Sequence, residues 1–237
     1  MLRNAPRTLA RCAAVLGLAA GAGAHADDFG GHLTLTSDYV FRGISQSNTN
    51  PSVYGGLDYA HDSGLIAGLF AAVIDYPYSP FKADTGQVEL DLYVGYSRPV
   101  GRDFEWDVSL VHYQYLESAA SNDDYQELAF NLHFRDIARL GVALSNDAAA
   151  GGSNGWIAEL ELSQPLAKRF QVSGTFGRYD FSHEFWNSYL YWDLGVSAVF
   201  EPVTVDLRYY DTNDDAISFA GERLTEARAV ASISIGF

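Results

Sequence analysis

Cysteine is nearly missing from this chain. It occurs once, at Cys12, within a leader-like segment, so the remainder has neither a disulfide framework nor a thiol nucleophile. Long apolar runs are missing too. The longest after the leader, Leu65 to Ile74, falls well short of the roughly twenty residues that a membrane-spanning helix needs. Positive charge is scarce, with 15 Lys and Arg against 30 Asp and Glu. Removing Arg3, Arg7 and Arg11 with the leader leaves 12 basic side chains and a net charge of −18. Such a chain does not bind nucleic acid or an anionic lipid surface through bulk charge.

Catalytic and metal signatures are equally thin. No G-x-S-x-G occurs, and His32, His61, His112, His133 and His183 are scattered. His183, beside Ser182 and Glu184, is the one candidate for the nucleophile system of a lipid-modifying hydrolase, so no enzyme is expected. Asn122-Asp123-Asp124 and Asn213-Asp214-Asp215 are rich in oxygen but lack EF-hand spacing, so no metal and no cofactor is expected. Acidic loops of this kind are ordinarily just solvated.

What is present is an export leader followed by alternation. Arg3, Arg7 and Arg11 head a small apolar run from Cys12 to Ala22, and Ala24-His25-Ala26 fits the A-x-A cleavage rule. Residues 1–26 therefore read as a signal peptide for the Sec pathway and residues 27–237 as the mature domain. Arg11 beside Cys12 is wrong for a lipobox, so lipidation is not expected. At the other end Ala227, Ala229, Ala231, Ile233, Ile235 and Phe237 share one parity, with Arg228, Val230, Ser232, Ser234 and Gly236 on the other. Strict alternation marks a strand with one face against an apolar medium. An aromatic final residue, Phe237, resembles the insertion signal of bacterial outer-membrane barrels.

The same period recurs along the chain. His32 to Arg42 reads as one strand, and Val88, Leu90, Leu92, Val94 and Tyr96 oppose Glu89, Asp91 and Tyr93 in the cleanest of them. Phe104 to Tyr115 loses its apolar parity between Leu110 and Val111, which predicts a β-bulge. About twelve strands result, an even number, as bacterial single-chain barrels require. Short and long connections alternate, and the short set carries Arg98, Arg102, Arg135, Arg139, Lys168 and Arg169. The aromatic content of 14% suits rings at an apolar–aqueous boundary.

A soluble β-sandwich or lipocalin-like barrel alternates as well. The aromatic end of the last strand, the alternating loop lengths and the charges sharing a face with small polar residues favour the membrane. The expected fold is all-β, a closed antiparallel transmembrane barrel of about twelve strands in an up-and-down meander. Closure removes the unpaired edges that lipid penalises at several kcal/mol per backbone group.

Ser37-Asp38-Tyr39-Val40-Phe41-Arg42-Gly43-Ile44-Ser45-Gln46-Ser47, then Gly55-Gly56-Leu57-Asp58-Tyr59, Ser63-Gly64-Leu65-Ile66-Ala67-Gly68 and Glu89-Leu90-Asp91-Leu92-Tyr93-Val94-Gly95-Tyr96 resemble the signature of the TorF porin family of proteobacteria. The resemblance covers the mature chain and is strongest before Tyr96. It implies a barrel in the outer membrane and passive transport of small solutes.

Opposite the apolar stripe lie Asp38, Asp58, Glu89, Asp91, Glu127, Glu159, Glu161, Asp193, Asp206 and Glu226, against Arg42, Arg208 and Arg228. Near mid-bilayer a lipid-facing Arg or Lys costs about 2 to 4 kcal/mol, so these residues are expected to line the lumen. Such a lumen favours cations. The alternative is a barrel mostly plugged by pairing among these charges. With a first hairpin turning near Ser47, Asp38 and Asp58 would face each other, compensated by Arg42 and by Arg228 across the closing seam. Expected partners are outer-membrane lipid and lipopolysaccharide, the barrel-assembly machinery and small solutes. Replacing Phe237 by a charged residue should sharply reduce membrane insertion while secretion stays intact. Heat-modifiable gel mobility of the membrane fraction reads this, and a normal folded yield would contradict it.

Overall fold

The computed structural model describes residues 28–75, 87–116, 124–182 and 184–237. The expected leader, connections 76–86 and 117–123 with Asp123, and His183 lie outside the described residues. The strands, in chain order, are β1 (Asp28–Thr36), β2 (Val40–Phe41), β3 (Ile44–Ser45), β4 (Ser52–Ala60), β5 (Leu65–Ile74), β6 (Gln87–Val100) and β7 (Phe104–Leu116). Then follow β8 (Tyr125–Phe134), β9 (Ala138–Ser145), β10 (Gly155–Pro165), β11 (Phe170–Phe181), β12 (Tyr189–Phe200), β13 (Val203–Thr212) and β14 (Arg228–Gly236). All but β2 and β3 form one closed barrel in which chain neighbours pair antiparallel.

Closure runs through β1, which pairs with β4 on one side and β14 on the other. His32 lies opposite Gly236 and Thr36 opposite Ser232. Gly31 and Phe237 extend the seam, exchanging two backbone bonds of 2.9 and 3.0 Å. No barrel strand is left with an open edge, the condition for a sheet in lipid.

The two faces separate as the alternation requires. Leu33, Leu35, Leu92, Leu128, Leu194, Leu207 and Ile233 are exposed on the outside, while Thr34, Thr36, Glu89, Asp91, Glu127 and Ser234 are buried within. A continuous apolar exterior of this kind is stable only against hydrocarbon.

Four expectations need correction. The strand read from His32 to Arg42 ends at Thr36. Residues 37–51 are not a membrane hairpin turning near Ser47 but fold back into the barrel, with β2 and β3 as a small inner hairpin. The bulge in β7 is not there: the register from Val88–Leu116 to Val100–Phe104 is unbroken, and so is the pairing with β8. Val111 is simply an inward apolar residue, buried beside Tyr113 and Tyr125. Parity slips because Val111 and its ring neighbours pack against Phe41 of the inner hairpin. Glu226, finally, is exposed at the end of the helical turn Glu222–Thr225 and lies outside β14.

The exterior assignment predicts a depth-dependent cost. Leu92, mid-strand in β6 between Leu69 and His112, when replaced by Arg should lose about 2 to 4 kcal/mol of folding stability in a bilayer. Urea titration of the lipid-embedded barrel measures it, and a loss under about 0.5 kcal/mol, typical of a solvent-exposed site, would contradict a lipid-facing β6.

Candidate functional site in the barrel lumen

The inner hairpin turns on two left-handed residues, Arg42 (φ 48°) and Gly43 (φ 80°). Positive φ at both central positions is the tight turn whose twist matches a hairpin, and glycine takes it without strain. Space demands glycine as well. A Cβ on Gly43 would stand 2.5 Å from Thr212 Cγ2 and 2.8 Å from Tyr191 Cβ, so the turn sits against β12 and β13.

Asp38 organises the base of this segment. Its Oδ1 accepts from Ser45 Oγ (2.6 Å) and Ser47 Oγ (2.8 Å), and its Oδ2 from Arg228 Nη1 (2.9 Å) on β14. Tyr39 N donates to Ser47 Oγ at 2.9 Å. The motif from Ser37 to Ser47 thus encodes a self-bonded plug, which explains its dense run of short polar side chains.

The tip reaches the far wall. Arg42 donates from Nη1 and Nη2 to the two oxygens of Glu127, both at 2.7 Å, a bidentate fork. Its guanidinium lies 4.5 Å from the Phe41 ring centroid and 5.1 Å from that of Tyr179. Tyr39 OH donates to Glu89 Oε2 at 3.0 Å, and Tyr115 OH to Glu89 Oε1 at 3.1 Å. Burial, and after it the Glu89 and Asp91 carboxylates, push the Tyr39 phenol well above its ordinary value, so it remains a donor.

Around the hairpin the long-loop half of the lumen is a packed core. Ile44 joins Ile157, Tyr179, Phe181, Tyr189 and Tyr191 with Ala216, Ala220 and Leu224. The last three belong to the turn Asp214–Ala216 and two short helices, α1 (Ile217–Ala220) and α2 (Glu222–Thr225), which close over that end. Arg223 Nη2 donates to Asn48 O at 3.2 Å and ties this cap to the plug.

Toward the short turns the lumen becomes polar. Arg139 meets Glu161 (3.1 Å) and Glu159 (3.3 Å), and donates to Asn131 Oδ1 at 3.1 Å. Asp107 receives Asn131 Nδ2 at 2.9 Å and faces His133 Nε2 at 2.7 Å. Arg208 is paired with Asp193 and, at 3.2 Å, with Asp206. Tyr191 OH donates to Glu159 Oε1 at 2.6 Å. The Tyr191 ring lies where a Cβ on Gly177 would be, so that glycine makes its room.

Apart from Glu226, the predicted lumen residues sit on the inner side, in different groupings. Asp38 and Arg228 do form the seam pair. Asp58 does not join them: it accepts from Tyr93 OH at 2.5 Å, near the short-turn end. Arg42 leaves the seam for Glu127. Sequence reasoning missed Arg139, Asp107 and Tyr191 as lumen residues. In sequence Arg139 reads as part of a short turn, although its place on the parity of Gly141 and Ala143 opposite Leu140, Val142 and Leu144 carries the signal. Near Arg42 the lumen holds a cavity of about 40 Å³, bordered by Tyr113, Glu127, Asn131, Arg139 and Glu159.

Comparison with known proteins gives a family and a fold. The family described as bacterial protein of unknown function (Gcw_chp) matches residues 19–237, and the narrower TorF resemblance is not among the matches. No curated protein matches the sequence. Among the solved structures that share the architecture are two porins. The structure described as KdgM porin has a TM-score of 0.54 at 5% identity, covering 88% of this chain and 98% of its own. The NanC porin structure in a rhombohedral crystal form has 0.55 at 10% identity, covering 89% and 99%.

The Arg139 cluster predicts a specific penalty. Arg139→Gln leaves Glu159 and Glu161 facing each other without their cation and should cost about 3 to 5 kcal/mol. Adding Glu159→Gln and Glu161→Gln should restore much of it. Urea unfolding midpoints of the wild type, Arg139→Gln, Glu159→Gln/Glu161→Gln and the triple variant measure the coupling, and strict additivity would show that the cluster is not electrostatic.

Proposed function

We propose that this chain, which belongs to the Gcw_chp family of bacterial proteins, is an outer-membrane porin-like channel. It passes small solutes by passive diffusion and prefers cations. Export through the Sec pathway and insertion by the barrel-assembly machinery bring it to that membrane, where lipid and lipopolysaccharide surround it. Small solutes are its cargo, and it needs no cofactor.

The observation that carries this reading is the charge on the inner wall. Asp58, Glu89, Asp91, Asp107, Glu127, Glu159, Glu161, Asp193 and Asp206 face Arg42, Arg139, Arg208 and Arg228. Carboxylates outnumber guanidiniums even after every arginine is paired. In a low-dielectric wall that surplus attracts cations and repels anions. The inner hairpin narrows the path where Arg42 meets Glu127 and Tyr39 meets Glu89, as a constriction must if it is to select.

A second reading draws on the packed long-loop half. With Ile44 and the Tyr179–Phe181–Tyr189 rings filling that end, the hairpin in place holds the barrel shut, and passage requires it to move. The hydrolase alternative gains nothing from this arrangement.

Replacing Glu89, Glu159 and Glu161 by Gln and Asp91 by Asn keeps size and removes four lumen charges, so the cation preference should weaken strongly. Asn at Asp123, Asp124, Asp214 and Asp215 is the control, because in 1 M salt the Debye length of about 3 Å screens loop charges. Reversal potentials in a planar bilayer measure both sets. A larger shift from the loop set at high salt would mean that the strands enclose no continuous acidic path.

A further inference from the structure

Arg42 occupies a backbone position that suits it poorly. The first central residue of a turn with two positive φ values is usually Asn, Asp or Gly, and a long side chain there is strained. Its head group gives the reason for keeping it. The guanidinium is forked by Glu127 at 2.7 Å, lies over the Tyr179 ring, and is only 8% exposed. A carboxylate fork and an aromatic face are how proteins bind a guanidinium ligand.

The same place holds more acid than Arg42 uses. Asp91 is 1% exposed, and among the described residues neither of its carboxylate oxygens has a hydrogen-bond partner. Asp91 lies opposite Tyr113 across β6 and β7, and Tyr113 OH donates to Glu127 at 3.1 Å. A buried carboxylate without a partner is a costly feature in a folded protein and calls for an explanation. The cavity beside Arg42, bordered by Glu127 and Glu159, has room for water and gives a small ligand a foothold. Among the described residues no three His, Cys, Asp or Glu converge for a metal ion. The Glu127 fork and the Tyr179 ring face fit a planar guanidinium-type cation.

We infer that the lumen carries a binding site for solutes bearing a guanidinium group, and that Arg42 occupies this site when no solute is present. The inference rests on the channel reading and narrows its cargo. Arg42 competes intramolecularly, at high effective concentration, so a free guanidinium binds the intact barrel only as far as the hairpin withdraws. Arrival of such a solute then shifts the hairpin toward its withdrawn position and favours opening of the constriction.

Agmatine is the probe, with glutarate as the anionic control. Calorimetry on the folded barrel should show at least about tenfold tighter agmatine binding to Arg42→Ala than to the wild type. Arg42→Ala/Glu127→Gln should lose it, and glutarate should bind to none. Amide hydrogen exchange of the wild type over residues 39–46 should quicken several-fold with agmatine and not with glutarate, a readout that needs no variant to fold. Unchanged exchange at every agmatine concentration that leaves the barrel folded overturns the proposal, even where Arg42→Ala binds, because a merely structural arginine would leave a fillable hole. Binding that survives Glu127→Gln overturns it as well. A barrel that conducts cations but fails these tests keeps the channel and loses the site. One that passes them without carrying current keeps the site and loses the channel.

Discussion

Lipid offers the backbone no hydrogen-bond partner, and every other feature of this molecule follows from meeting that constraint. The sheet has to close, and it closes where β14 meets β1 along His32–Gly236 to Thr36–Ser232. Once closed, it has an outside that must be apolar and an inside that must take every charge the strands carry. The alternation of Leu92 with Asp91, or of Ile233 with Ser234, is the local expression of that rule. The charges collected inside then become the next problem, because a narrow lumen screens them poorly.

The inner hairpin answers part of that problem. Glu127 and Glu89, on adjacent walls, are met by Arg42 and Tyr39 from a segment that enters from the long-loop end. Arg139 and Arg208 answer the rest nearer the short turns, each flanked by two carboxylates. Such pairs contribute specificity more than net stability, since the attraction roughly offsets the cost of desolvating both partners. Their arrangement keeps the lumen ordered yet leaves it negative. The packed ring cluster around Ile44 and Tyr189 makes the outer half a folded core around the hairpin.

Much of this was legible in the sequence, for a physical reason. Period-two alternation reports a face, and the face reports the medium, so strand number, closure and the inward set of Asp91, Glu127, Glu159 and Arg208 could be read directly. The inner hairpin could not. Tyr39 and Phe41 prolong the apolar parity past Thr36 because they pack inside the barrel, and periodicity does not say that the chain has turned inward. Val111 misled for the converse reason: a lumen residue that packs against a plug is apolar, which breaks the pattern of a water-lined wall. Partner choice was the least legible feature. Asp58 meets Tyr93 and Arg42 meets Glu127 across strands far apart in sequence, and only the barrel's register and the depth of the hairpin decide such pairs.

The central claim is that an acid-lined path crosses this barrel. Purified wild-type protein in a planar bilayer, under a KCl gradient, tests it most directly through the sign of the reversal potential. The account predicts discrete openings whose reversal potential lies on the potassium side. A reversal potential on the chloride side, or a folded and inserted barrel that carries no current at any voltage or salt, would contradict it.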